Sequence, residues 1–318
     1  MIERGRNMHR KKGYQESFSK RLKTDLRRNW SLYLLVLPVL LFYIAFKYKP
    51  MYGALIAFMD YTPTKGMANS EWVGLKHFSR FFSSPYFWRL LKNTFLLSFY
   101  NLLFGFPAPI ILALLLNEVK NAKFKKFTQT VTYLPHFLSL VVICGMVTDF
   151  SLINGLFNSV IEFFGGTRTP LLQNPDYYRT IYVLSGIWKE VGWGSIIYLA
   201  ALSGIDTQLY EAAKIDGAGK WKQMIHVTLP GITPQIVILL IMKIGNLMSM
   251  GYEKTILLYN PSIYETADII SSYVYRSGLM NQEWGYSTAI GLFNSLVNCT
   301  LVVAANYISR KTTENSLW

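Results

Sequence analysis

The stretch "YEAAKIDGAGKWKQMIHVTLP", Tyr210 to Pro230, is a polar, glycine-punctuated hairpin between two apolar runs, 180–203 and 233–252. Its fragment "GAGK" resembles part of a phosphate loop. A Walker loop needs G-x-x-x-x-G-K-[ST], following a strand and opening a helix. Here Gly219-Lys220 is followed by Trp221, and the residue five before Gly219 is Lys214. The first glycine and the magnesium-binding hydroxyl are both missing, so the hairpin is no nucleotide site. What remains is two short helices around a glycine elbow. Asp206 or Thr207 is placed to cap a helix over 208–215, and Gly217 to end it with positive φ. Gly219 lets a second helix begin at a new angle, and Leu229-Pro230 is expected to stop that helix and turn the chain back.

Outward from the hairpin, six apolar segments stand out: 31–46 with a possible extension to 58, 90–116, 128–149, 180–203, 233–252 and 286–309. All but the first reach the ~18–20 residues that a helix needs to cross ~30 Å of hydrocarbon. Lys47 and Lys49 cut the first one short. No small-residue cleavage site follows it, which favours an uncleaved anchor over a signal peptide. Half of the 318 residues are hydrophobic and 16% are charged, and mean hydropathy is positive at +0.23. The fold class expected is therefore all-α, a polytopic membrane protein with six transmembrane helices.

The net charge of +14 does not point to nucleic acid, because ten of the 32 Lys and Arg residues precede the first apolar run. Basic residues beside a span set its orientation. Lys120, Lys123, Lys125 and Lys126 fill the 117–127 loop, Lys214, Lys220 and Lys222 the 204–232 loop, and Arg310 and Lys311 close the last span. The loops at 150–179 and 253–285 hold two basic residues each, and only the long 47–89 segment departs from the pattern with six. Both termini and the hairpin are accordingly expected in the cytoplasm. Phe18, Leu22 and Leu26 recur every four residues among basic ones, the pattern of a helix lying on membrane lipid; a disordered basic tail is the alternative. Cys144 and Cys299 both fall in apolar segments and offer neither a disulfide framework nor, with any neighbours, a metal site.

The spacing Glu211-Ala212-Ala213, three residues, Gly217, nine residues, Val227, one residue, Leu229-Pro230 resembles the EAA loop of ABC-importer permeases, with Val where that family usually has Ile. "LKNTFLLS", "FGFPAPIILALLLNEV", "TYLPHFLS", "IYLAALSGID", "ILLYNP" and "YETADIISSYVYRSGL" are similar to the carbohydrate-uptake permeases, in the branch associated with oligosaccharides and polysaccharide fragments. The resemblance implies a non-catalytic plasma-membrane subunit of a prokaryotic importer. Its partners would be a second permease subunit in a heterodimer, an ATPase dimer that holds Mg-ATP, and an extracellular solute-binding protein. It also implies a coupling helix, with Glu211, Ala212, Ala213, Gly217, Leu229 and Pro230 as the residues that engage the ATPase. The expected organisation is a basic segment 1–30, a first helix and extracellular loop 31–87, a permease core 88–310 containing the coupling loop 204–232, and a tail 311–318.

Polar residues inside the apolar runs are candidates for the solute path. Lys189 and Glu190 sit near the centre of 180–203, where each charge costs ~2.5–3.5 kcal/mol unless it faces protein or water. Trp188 and Trp193 have flat faces suited to sugar rings, and Gly186, Gly192 and Gly194 permit close helix approach. Asn246, Tyr252 and Asn294 complete the set of path candidates; Asn294 and Asn298 share one helix face. Pro107, Pro109 and Pro135 mark kinks or hinges. No Ser-His-Asp set, H-E-x-x-H or carboxylate dyad occurs in a credible setting, so an intramembrane enzyme is disfavoured. An ion-coupled secondary transporter is the alternative, and it would want a carboxylate relay where only Glu190 and Asp149 are available.

Overall fold

The structure, a computed structural model, describes residues 24–312. It falls into two compact units, one ending at Leu55 and one beginning at Ile56. Phe18 and Leu22, on which the membrane-surface helix was expected, lie outside the described residues.

In the first unit α1 spans Trp30–Tyr43 and passes through a π turn, Ile44–Tyr48. Helical backbone then runs on to Phe58, so the first apolar segment reaches the longer of its two expected limits. The second unit opens with a small antiparallel ribbon, β1 Met59–Asp60 against β2 Glu71–Trp72. It is otherwise helical: α2 Lys76–Phe82, α3 Phe87–Tyr100, α4 Pro107–Glu118, α5 Ala122–Phe137, α6 Leu140–Ser151, α7 Leu156–Phe163 and α8 Pro175–Ser203. After these come α9 Thr207–Ile215, α10 Lys220–Gln223, α11 Leu229–Gly245, α12 Tyr252–Leu258, α13 Ile270–Tyr275 and α14 Trp284–Thr312.

Prolines shape these helices in a consistent way. The π turns Ile44–Tyr48, Asn101–Gly105 and Met224–Thr228 each end two residues before a proline, namely Pro50, Pro107 and Pro230. A proline has no N–H for the carbonyl four residues back, and its ring crowds that carbonyl. The wider turn, in which Lys49 and Leu229 bond the carbonyls of Ile44 and Met224 five residues back, carries the helix past the gap. This corrects one expectation. Leu229-Pro230 does not stop the second helix of the hairpin; helical backbone is continuous from Lys220 to Gly245.

By length and composition five helical runs are able to cross a membrane: Trp30–Phe58, Phe87–Glu118, Leu140–Phe163, Lys220–Gly245 and Trp284–Lys311. The remaining expected span lies within α8, which is 29 residues long but made less apolar by Lys189 and Glu190. Two expected spans have different limits. The segment 128–149 straddles a break at Leu138-Ser139, which begins three residues after Pro135 of α5, and the Ser139 hydroxyl accepts the Val142 N–H to start α6 afresh. The segment 233–252 ends early, because helix α11 stops at Gly245 and the chain is unwound through Gly251.

Helix α8 is the hub. It lies against α4, α5, α6 and α11. Tyr178, Tyr182 and Val183 on it are buried with Leu97 of α3 and Ile143 and Val147 of α6, while Tyr198 and Leu202 are buried with Ile110, Ala113 and Ile232. A third cluster, Phe81, Leu90, Ile270, Tyr286 and Ile290, joins α2, α3, α13 and α14. The close approach of α8 to α5 depends on Gly192, where a Cβ would lie 2.1 Å from the Thr132 carbonyl oxygen. Gly192→Ala should therefore destabilise by about 1–3 kcal/mol, since backbone must move. Gly145→Ala in α6, with nothing within 4 Å, should be neutral or stabilising by about 0.5–1 kcal/mol. Thermal unfolding of the two purified variants in detergent checks this; equal melting temperatures would show that α5 and α8 do not meet there.

Candidate functional site

The elbow at 204–230 is held by local chemistry. Asp206, and not Thr207, caps α9, its Oδ1 accepting the Gln208 N–H at 2.9 Å. At the other end Gly217 has φ +74°. Its N–H bonds the Lys214 carbonyl at 3.0 Å, and the Ala218 N–H bonds the Ala213 carbonyl at 2.8 Å. This double closure is a Schellman cap, which requires a left-handed residue at Gly217. The second arm is tied back by Gln223 Nε2 donating to the Ala218 carbonyl and by Tyr210 and Thr228 sharing a hydroxyl–hydroxyl bond at 3.0 Å. Lys220 pairs with Glu118 at the end of α4 at 2.7 Å. Glu211, Ala212, Gly217 and Pro230 are exposed; Ala213 and Leu229 are half-buried. Leu209, Ile215 and Trp221 expose large apolar surface, Ile215 at 87%. A rigid nine-residue helix with bare apolar side chains suits a protein partner better than solvent.

A second feature is the unwound segment between α11 and α12. In hydrocarbon every peptide group needs a partner, so non-helical backbone persists only where protein or a cavity satisfies it. Asn298 Oδ1 accepts the Met248 N–H at 2.9 Å, Asn294 Nδ2 donates to the Met248 carbonyl at 3.1 Å, and Asn298 Nδ2 donates to Ser249 Oγ at 2.7 Å. Ser98 of α3 donates to the Leu247 carbonyl. The inward-turned Asn294/Asn298 face thus serves the broken backbone of another helix.

This unwound segment borders a cavity of about 360 Å³ between α3, α4, α8, α11 and α12. Glu190, Asn246, Lys243, Glu253, Lys254 and Ser98 are among its polar lining residues. Glu190 is bound on both oxygens, by Lys189 Nζ at 2.7 Å and by His136 Nδ1 at 2.8 Å, and Trp193 stacks flat on His136 at 4.4 Å. Lys189 and Glu190, which had to face protein or water, face each other and His136.

The six path candidates do not converge. Glu190 and Asn246 line this cavity. Tyr252, stacked on Tyr275 at 5.1 Å, and Asn294 line a different one of about 370 Å³ with Trp284 and Ser271. Trp188 borders an apolar hollow of about 470 Å³ between α6, α7 and α8. Sequence reasoning omitted Lys254, whose Nζ donates to the Tyr182 carbonyl at 2.5 Å and lies 4.4 Å from the Tyr182 ring centre. It also omitted Asp268, fully buried and held by Arg276 Nη2 at 2.7 Å and by Ser272 Oγ at 2.9 Å. Burial alone lowers the Arg276 guanidinium pKa, but bonding to Asp268 outweighs it and raises the value above the arginine norm. Asn93 of α3 bridges to the same corner, donating to the Glu265 and Asp268 carbonyls and accepting from Arg179.

A polytopic helical chain with a capped polar elbow and a cavity at a broken helix is the geometry of a transport subunit. Residues 93–314 match the family described as "Binding-protein-dependent transport system inner membrane component". The chain belongs to that family. It is thus a multi-pass permease of the inner membrane, a transport component and not a catalyst, and nothing supports the ion-coupled alternative. The permease is 48% identical to the polygalacturonan/rhamnogalacturonan transport system permease protein YteP of Bacillus subtilis (strain 168), over 96% of this chain and 95% of that one. It is 45% identical to protein LplB of the same organism, over 92% of each. Among solved structures it is similar to a chain of the bacterial alginate ABC transporter crystallised with an alginate pentasaccharide-bound periplasmic protein. The TM-score is 0.85 and the identity 43%, with 93% of this chain and all of that one covered.

Proposed function

We propose that the permease takes up oligosaccharides in an ABC importer, receiving them from an extracellular solute-binding protein and pairing with a second permease subunit. Mg-ATP is bound by a separate ATPase dimer. Helix α9 is the coupling helix, presenting Glu211, Ala212 and Ala213 to a groove on the ATPase, while Gly217, Leu229 and Pro230 fix its exit. The observation that carries this reading is the Schellman-capped α9 with bare Leu209 and Ile215, in a chain of this family with no nucleotide loop. ATPase closure would tilt the helices around α8 and switch the cavity between the two sides. Glu190 and Asn246 border the path, and polygalacturonan and alginate, named for the similar proteins, support a sugar cargo. Deleting the ATPase gene should abolish growth on the transported oligosaccharide, and growth that continued would remove the coupling role.

Both termini and the elbow are cytoplasmic in this reading. In a Cys299→Ser background, which removes the exposed native thiol while Cys144 stays buried, cysteines at Lys123 and Lys220 should resist an impermeant thiol reagent in intact cells. One at Gln173 should react. The reverse labelling would invert the orientation.

A further inference from the structure

The cavity beside the unwound segment 246–251 has an uneven charge. Glu190 is already neutralised by Lys189 and held by His136. Lys243, in the last turn of α11, and Lys254, in α12, enter the same cavity from either side of the break. Neither has a carboxylate within 4.0 Å among the described residues. Lys254 spends one N–H on the Tyr182 carbonyl and keeps two more; the lysine ammonium has three donors in all. Glu253 is the one lining carboxylate not held in an ion pair, against two such lysines. Lys254 is half-buried and Lys243 exposed, so two ammonium groups without a paired carboxylate border one cavity, and an anion that enters it meets both charges.

We propose that Lys243 and Lys254 form a subsite for the carboxylate of a uronic acid residue, so that the permease itself selects for acidic oligosaccharides. This rests on the oligosaccharide-permease reading above and adds to it a cargo class and two specificity-determining residues. A sugar carboxylate sheds much of its hydration on entering a cavity of this size, and two charge-assisted bonds of about 2.7–2.9 Å replace it. A neutral sugar gains nothing comparable from an ammonium group. The flexible stems let the charges follow a carboxylate that passes through, where a rigid guanidinium fork would hold it.

The test uses the whole reconstituted importer with its binding protein and ATPase. Uptake of trigalacturonic acid is measured against uptake of its carboxyl-reduced neutral counterpart, and the readout is the acidic-to-neutral ratio relative to the wild-type complex. The binding protein's own preference and the amount of folded permease both cancel in that comparison. K243M/K254M should lower the ratio at least tenfold, and the single variants K243Q and K254Q, which keep side-chain length and polarity, should each lower it severalfold. Ratios within twofold of wild type in the single variants, or in the double variant, overturn the subsite. A wild-type complex that carries the neutral sugar as well as the acidic one also overturns it, while leaving an oligosaccharide permease standing. Uptake of neither sugar by the wild-type complex overturns the oligosaccharide reading and the subsite with it.

Discussion

Gly217→Pro should reduce solute uptake at least a hundredfold while the permease stays in the membrane with its partners. Gly217 sits at φ +74°, a region closed to proline, whose ring fixes φ near −65°. The substitution also removes the N–H that bonds the Lys214 carbonyl, so both halves of the cap that ends α9 are lost. Space is not the reason, because nothing lies within 4 Å of a Cβ at this position. Gly217→Ala should therefore cost only about 1–2 kcal/mol of local strain and retain much of the uptake. Glu211→Lys, on the exposed face of α9, should uncouple in a different way, by reversing a charge at the docking surface with the helix intact. Uptake and ATP hydrolysis measured on the same purified complexes separate these cases. Wild-type uptake by Gly217→Pro in an assembled complex would remove α9 from the coupling path.

Asp268→Ala should be the most damaging change to the fold, destabilising by about 3–5 kcal/mol. The carboxylate is fully buried and organises three groups at once: Arg276 at 2.7 Å, Ser272 at 2.9 Å and Arg89 at 3.6 Å. Without it Arg276 stays charged and largely enclosed, with no anion to compensate. Asp268→Asn keeps shape and an acceptor for Ser272 but not the charge, and should fall between wild type and alanine. The yield of monodisperse protein after solubilisation reads out this order. An alanine variant as stable as wild type would mean that the corner is held by Asn93 and packing alone.

These residues also show where sequence reading reaches and where it stops. The elbow was legible because its determinants are local. Asp206, the Glu211-Ala212-Ala213 run and Gly217 specify a cap, a helix and a left-handed stop within twelve residues, and the structure repeats that pattern. The segments 180–203 and 286–309 were legible because one helix carries each apolar run, and 90–116 because helical backbone continues from α3 through a π turn into α4. The breaks were not. Residues 246–251 unwind because Asn294 and Asn298, some fifty positions away, supply the hydrogen bonds that a continuous helix would have made for itself. Read from its own helix, Asn294 gives no sign that it bonds the Met248 carbonyl of another segment. Pro230 misled in the opposite sense, since a π turn upstream absorbs the proline and lets the helix continue. Asp268 and Lys254 lay outside the apolar runs in which polar residues were sought, and only tertiary packing reveals that one is enclosed and the other meets α8.

The most direct measurement is uptake of a radiolabelled oligosaccharide into proteoliposomes that contain this permease, its paired permease subunit and the ATPase, with the binding protein outside. Accumulation is expected only with Mg-ATP in the ATPase compartment and the loaded binding protein on the opposite face, and it should vanish when either is omitted. Accumulation driven by a proton or sodium gradient, with no ATPase present, would contradict it.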